Sequence, residues 1–244
     1  MSVLIITSTV NVNSNLTVLV NPKIRLEQYV ESILFYLNSK KIDKIIICDN
    51  SLFDYSNVEV ICKLAVKNNK IIEFLNFKGS TIKIQELGKG YGEGEIMSFI
   101  FINSKLIKQE EFSFLKVTGR LKLLNIDSIL EFCKPNINYF QPTSLNPFIK
   151  SNKTDTRFYQ CTKLVFNEFF EDSYQNVNDV EGVYLEHIYY NKLIDEKIRF
   201  ENFKILPYFI GVSGSTGESY KISDIKFLRN RFLFVCYKYF NNKI

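Results

Sequence analysis

Residues 3–6 and 45–48 are continuous apolar runs, 70–77 is a third strand-like run rich in apolar residues, and the segments between them repeat apolar positions at helical spacing. That alternation limits what the chain can fold into more than any other feature it carries. A strand apolar on both sides must be covered on both sides, and two parallel strands need a long crossover between them, usually a helix. Between the first two runs, Leu26, Tyr29, Val30, Ile33, Leu34 and Leu37 recur at intervals of three and four over residues 24–37. Pro22 sits just before, where a helix start tolerates it. Residues 58–66 read as a second helix. The expectation is an α/β fold with a mixed, mainly parallel sheet flanked by helices.

Further along, a strand over 112–117 and strands around 138–141 and 158–166 alternate with helices over 96–106, 127–133 and 183–193. Asn178 and Asp179 are candidate N-caps of the last of these. The 244 residues suffice for one such domain and are short for two, and neither a linker nor an internal repeat divides them.

In parallel sheets, ligands bind beyond the carboxyl ends of the strands. Thr7-Ser8 ends the first run and Asp49-Asn50-Ser51 the second, so these are the candidate nucleotide contacts. Four of ten glycines fall at Gly88, Gly90, Gly92 and Gly94, with Lys89 between the first two, just before a helix. Glycine permits close backbone approach, and a following helix N-terminus favours anions. The pattern matches neither a Walker loop nor a dinucleotide fingerprint. A surface turn is the structural alternative.

Arginine is scarce, six against 25 lysines, which directs attention to the positions where it was kept. Lys116, Thr118, Gly119 and Arg120 close the fourth strand, and alternation places Lys116, Thr118 and Arg120 on one side. Cations there would neutralise a diphosphate. Asp155-Thr156-Arg157 could hold a sugar and a phosphate, or a metal through Asp155. Glu186, early in its helix, is the candidate general base, whereas the single histidine, His187, reads as structural. The stretch 211–219 offers small donors in a loop able to close over substrate.

Several classes are disfavoured. The net charge of +5 is spread along the chain, without the basic stripe of a nucleic-acid binder. Five dispersed cysteines suggest neither a disulfide framework nor a zinc site, and fit a reducing cytoplasm. No export signal or membrane span is legible, so the expected location is cytoplasmic, or peripheral on the inner face of the cell membrane. A terminal helix over 223–240 carries Ile225, Leu228, Phe232, Val235, Cys236 and Tyr239 on one stripe, amid basic residues. That stripe fits docking onto the parent domain or onto an anionic membrane surface.

The order of parts resembles GT-A type glycosyltransferases of bacterial capsule and lipopolysaccharide biosynthesis. The resemblance lies in Thr7-Ser8 after the first strand, Arg25 in the first helix, Cys48-Asp49-Asn50-Ser51, the run Gly88–Glu93, the strand ending Lys116-Val117-Thr118-Gly119-Arg120, and Leu185-Glu186-His187. It implies a GT-A-like, Rossmann-like single domain over 1–222, with a nucleotide part over about 1–120 and an acceptor part over about 121–222. Residues 223–244 would then be the basic aromatic helix.

The implied activity is sugar transfer from a nucleoside-diphosphate sugar to a glycan or lipid-linked acceptor. Thr7, Ser8, Asp49, Asn50, Lys89, Gly90, Lys116, Gly119, Arg120, Asp155 and Arg157 would bind the donor, and Glu186 would be the base. The Asp-x-Asp that holds a divalent metal in most relatives is absent. Basic replacement of the metal is therefore favoured, with Asp155 as the ligand if manganese or magnesium is used. Two rivals stand beside this reading: a sugar-phosphate nucleotidyltransferase and a non-catalytic scaffold of polysaccharide assembly. The first usually carries a Gly-rich basic loop after strand one, and residues 8–21 hold neither glycine nor a basic residue.

Overall fold

The structure, a computed structural model, describes residues 3–12, 17–110, 112–146, 148, 151–212, 217, 219–220 and 224–241. The apolar runs form β1 (Val3–Ser8), β2 (Lys44–Asp49), β3 (Ile71–Asn76) and β4 (Ser113–Thr118). β1 pairs in parallel with both β2 and β4, and β2 with β3. β5 (Lys122–Leu123), β6 (Asn138–Tyr139), β7 (Phe158–Thr162), β8 (Phe200–Glu201) and β9 (Phe209–Ile210) follow. The main sheet has seven strands in the order β3-β2-β1-β4-β7-β6-β8, with β7 antiparallel to β4 and to β6. β5 and β9 pair separately. The expected mixed, mainly parallel α/β sheet is what forms.

Period-2 alternation divides the buried strand residues between two cores. Leu4, Ile6, Ile45, Ile47, Leu115 and Val117 face one way, against Tyr29, Ile33, Tyr36 and Leu37 of α1 (Pro22–Leu37) and Ile61 of α2 (Glu59–Lys67). Val3, Ile5, Ile46, Cys48 and Phe114 face the other, against Ile96, Met97 and Ile100. These last belong to α4 (Lys89–Asn103), which follows α3 (Thr81–Leu87) and precedes α5 (Lys105–Gln109). Asn21 caps α1, accepting from the backbone N–H groups of Lys23 and Ile24, with Pro22 at the first helical position as expected.

The later helices are α6 (Ile126–Leu130), α7 (Lys163–Val165), α8 (Leu185–Asp195) and α9 (Asp224–Asn241). The strand expected over 158–166 stops at Thr162, and the chain turns helical through α7 and a π-helical turn, Phe166–Phe170. That turn buries Phe166 and Phe170 beneath the sheet.

The α9 stripe is oriented opposite to the docking alternative. Phe227 and Phe234, which lie off the stripe, face the body: Phe234 is buried and the Phe227 ring packs 4.4 Å from that of Tyr208. Leu228, Phe232, Val235 and Tyr239 are exposed. No helix among the described residues is long and apolar enough to cross a membrane.

Candidate functional site

Strand order reverses between β1 and β4, since the chain runs from β1 outward to β3 and then returns to the other side of β1. A crevice opens at such a switch point. A cavity of about 120 Å³ lies there, lined by Thr7, Ser8 and Thr9 at the end of β1, Asn50 after β2, Thr118 and Arg120 at the end of β4, and Gly79, Lys89, Gly92 and Glu93 from the β3–α4 region. A second cavity, of about 490 Å³, shares Lys89, Glu93, Thr118 and Arg120 with the first. It continues to Lys153, Asp155, Arg157, Asp179 and Glu186.

Two arginines define the electrostatics of the first cavity. Arg25 projects from α1, donating from Nε to Thr9 O at 2.8 Å and from Nη1 to Leu19 O at 3.0 Å. These bonds tie down the loop after β1. Its guanidinium lies 5.7 Å from the Tyr29 ring centre, and that of Arg120 lies 5.8 Å from the same ring. Both arginines are buried, and among the described residues no carboxylate pairs with either. Desolvation pulls the Arg120 pKa down. Two cations sharing one ring without a counter-ion favour an anionic ligand between them.

Thr7, Ser8, Asn50, Lys89, Gly90, Arg120, Asp155, Arg157 and Glu186 all line one cavity or both. Asp49, Lys116 and Gly119, also expected to contact the ligand, line neither. The Asp49 carboxylate accepts from Ser8 Oγ (2.7 Å) and Val10 N–H (2.9 Å) through one oxygen, and from Ser51 N–H (2.7 Å), Ser51 Oγ (2.6 Å) and Phe53 N–H (3.1 Å) through the other. Its acceptors are spent on joining the loops after β1 and β2. At Gly119 any Cβ would press on Thr7 O and stand 2.9 Å from the Tyr29 ring, so glycine is needed for close packing of β4 on β1.

Lys116 is buried and bonds inward. Its ammonium contacts the Glu93 carboxylate and donates to Thr156 O at 2.7 Å and Thr118 Oγ1 at 3.0 Å. Burial pulls its pKa down to about 7, against the opposing pull of Glu186 and Asp155. Lys116 therefore holds Glu93 at the junction of the two cavities. Glu93 was not singled out from the sequence, because a glutamate within a Gly-rich stretch carries no local mark of a lysine 23 positions away.

The Gly-rich stretch is likewise not the expected loop. Gly88 takes a φ of +101° and the helix starts at Lys89, so Gly90, Gly92 and Gly94 lie inside α4. They permit close packing: a Cβ on Gly90 would stand 2.8 Å from Asp179 Oδ1, and one on Gly94 would strike Tyr174. Asp179, expected to cap α8, instead accepts from Gly90 N–H at 2.9 Å. The anion place at this helix end is thus filled by a side chain of the protein itself, whose pKa burial raises.

In the second cavity Asp155 receives both Nε (2.9 Å) and Nη2 (2.6 Å) of Arg157. That pairing occupies Asp155, and no group of three or more His, Cys, Asp or Glu fit to hold a metal is found among the described residues. Glu186 stands at the start of α8 and accepts from Thr156 Oγ1 at 3.1 Å. His187 Nδ1 accepts from Tyr184 N–H at 3.1 Å, closing the helix cap, the structural role its sequence context suggested. The four residues 213–216 of the expected covering loop lie outside the described residues.

No protein-family model matches the chain, and no curated protein matches it in sequence. Among solved structures, it is similar to a cytidylyltransferase from Leptospira borgpetersenii, at 12% identity and a TM-score of 0.44 over 84% of this chain and 76% of that one. It is also similar to a CMP:2-keto-3-deoxy-manno-octonic acid synthetase complexed with CTP, at 9% identity and a TM-score of 0.45 over 97% and 99%. At such identities the likeness is one of fold.

Both neighbours are nucleotidyltransferases. The expected glycosyl transfer to a surface-polysaccharide or lipopolysaccharide acceptor is corrected here: the similar structures are a cytidylyltransferase and a CMP:2-keto-3-deoxy-manno-octonic acid synthetase, not glycosyltransferases. The physical reason is that strand-end motifs report a sheet with a ligand crevice at its carboxyl edge and not the reaction carried out beside it. Residues 8–21 carry no basic residue, and Arg25 reaches back from α1 to line the cavity just after β1.

Proposed function

We propose that the chain transfers a nucleotidyl group from a nucleoside triphosphate to a sugar or sugar phosphate. The observation that carries this reading is the pair of buried arginines on Tyr29, without a carboxylate partner among the described residues, both lining the first cavity, with Arg120 lining the second as well. The triphosphate would lie in the first cavity with Arg25, Lys89 and Arg120 against its phosphates, and Thr7, Ser8 and Asn50 toward the nucleoside. The sugar would lie in the second, beside Asp155, Arg157 and Glu186.

In the reaction a sugar or phosphate oxygen attacks the α-phosphorus, the bond from that phosphorus to the bridging oxygen breaks, and pyrophosphate leaves. Where the attacking group is a hydroxyl, Glu186 takes its proton, held in position by the Thr156 hydroxyl. Arg120 and Lys89 line both cavities, which suits them to the charge that grows on the leaving pyrophosphate. Asp155, the expected ligand if a divalent ion is used, is paired with Arg157.

The test pairs binding with turnover. Nucleoside triphosphates should raise the unfolding midpoint of the purified chain by mass action. At least one should release pyrophosphate in the presence of sugars or sugar phosphates. A panel of triphosphates that neither shifts the midpoint nor yields pyrophosphate would overturn the reading.

A further inference from the structure

The C-terminal helix docks on the body by one face and turns a second apolar face outward. Phe227 and Phe234 hold it to the body, where Lys238 Nζ also donates to Lys204 O at 3.4 Å. At about 100° per residue, Leu228, Phe232 and Val235 share a narrow arc about 120° around the helix from Phe227 and Phe234. They are 60–68% exposed, each a large side chain with most of its surface in water. Arg229 lies to one side of this arc and Arg231 to the other, while the Lys238 ammonium is turned to the body, and no acidic residue follows Asp224. The groove beneath the helix adds Lys204 to the same positive field, and among the described residues no carboxylate lines it.

We propose that α9 is an interfacial helix that seats this chain on an anionic lipid bilayer. The outward face matches such a surface in both respects: an apolar strip to enter the acyl boundary, and flanking cations to meet negative headgroups. A second copy of the chain is the poorer occupant. It would bring Arg229 and Arg231 against a helix of like charge, with no acid after Asp224 to receive them. This inference is independent of the reaction assigned above, because neither Arg25, Arg120 nor Glu186 belongs to α9.

The full chain is tested by co-sedimentation with vesicles of phosphatidylcholine alone or with 30 mol% phosphatidylserine. Binding is expected to the mixed vesicles only, and to weaken at least fivefold between 0.05 and 0.5 M salt as the surface cations are screened. The double variant Leu228→Ser/Phe232→Ser should lose binding at least tenfold at an unchanged unfolding midpoint, since both side chains already stand in water. Arg229→Gln should cost about fivefold. Equal binding to neutral and anionic vesicles, or undiminished binding by the double variant, would overturn the proposal. So would sedimentation velocity showing a dimer that the double variant abolishes.

Discussion

Replacing Lys116 by methionine removes a cation that the fold encloses while keeping a side chain of similar length. The native ammonium is depressed from 10.5 to about 7, chiefly by burial. Between those two values the unfolded chain binds a proton that the native chain does not, so stability rises with pH by about 1.4 kcal/mol per unit. Below pH 7 both states carry the proton and the full cost of burying it is present. Above 10.5 neither does, and the cost is gone. From pH 7.5 to 9.5 the Lys116 contribution therefore amounts to about 3 kcal/mol. Other groups titrate in the same range with the opposite sign: buried Cys48 and Tyr36 have raised pKa values and lose stability as pH rises. The measurement is accordingly a difference. Urea unfolding of wild type and Lys116→Met at pH 7.5, 8.5 and 9.5 should give a stability gap that shifts toward wild type by about 3 kcal/mol across the series. A gap constant with pH would refute the reasoning, and would mean that Glu93 keeps Lys116 charged throughout.

Other outcomes can be read in the same preparations. Arg120→Ala should weaken triphosphate binding by about 10- to 100-fold, the worth of a charge-assisted bond, as measured by calorimetry, and Arg120→Lys should not restore it because the stack on Tyr29 is lost. Glu186→Gln should lower pyrophosphate release by about 10²–10⁴-fold with triphosphate affinity nearly unchanged. Near-normal turnover would remove it from the chemistry. Gly119→Ala must push its Cβ against the Thr7 carbonyl and the Tyr29 ring, so the urea midpoint should fall by the equivalent of about 1–3 kcal/mol at unchanged m.

The sheet was legible because its signal is local. Apolar runs with period-2 burial and helices with three- and four-residue spacing require only neighbouring positions, and both appear in β1, β2, β4 and α1 as expected. The location of the cavities followed, since Thr7, Asn50 and Arg120 stand at strand ends in any such sheet. What tertiary structure decided is which polar groups are already satisfied. Asp49 and Lys116 looked like ligands because each stands at or near a strand end, yet one is consumed by donors from the loops after β1 and β2 and the other by Glu93 and Thr156. The glycines read as a loop until Asp179, 89 positions from Gly90, filled the helix end they open. α9 is apolar on two faces, so its own periodicity could not say which would dock. The aromatic contact between Tyr208 and Phe227 settles that, and it is a pairing between side chains far apart in sequence. Burial patterns are written along the chain, whereas the partner of a buried charge is fixed only when distant segments meet.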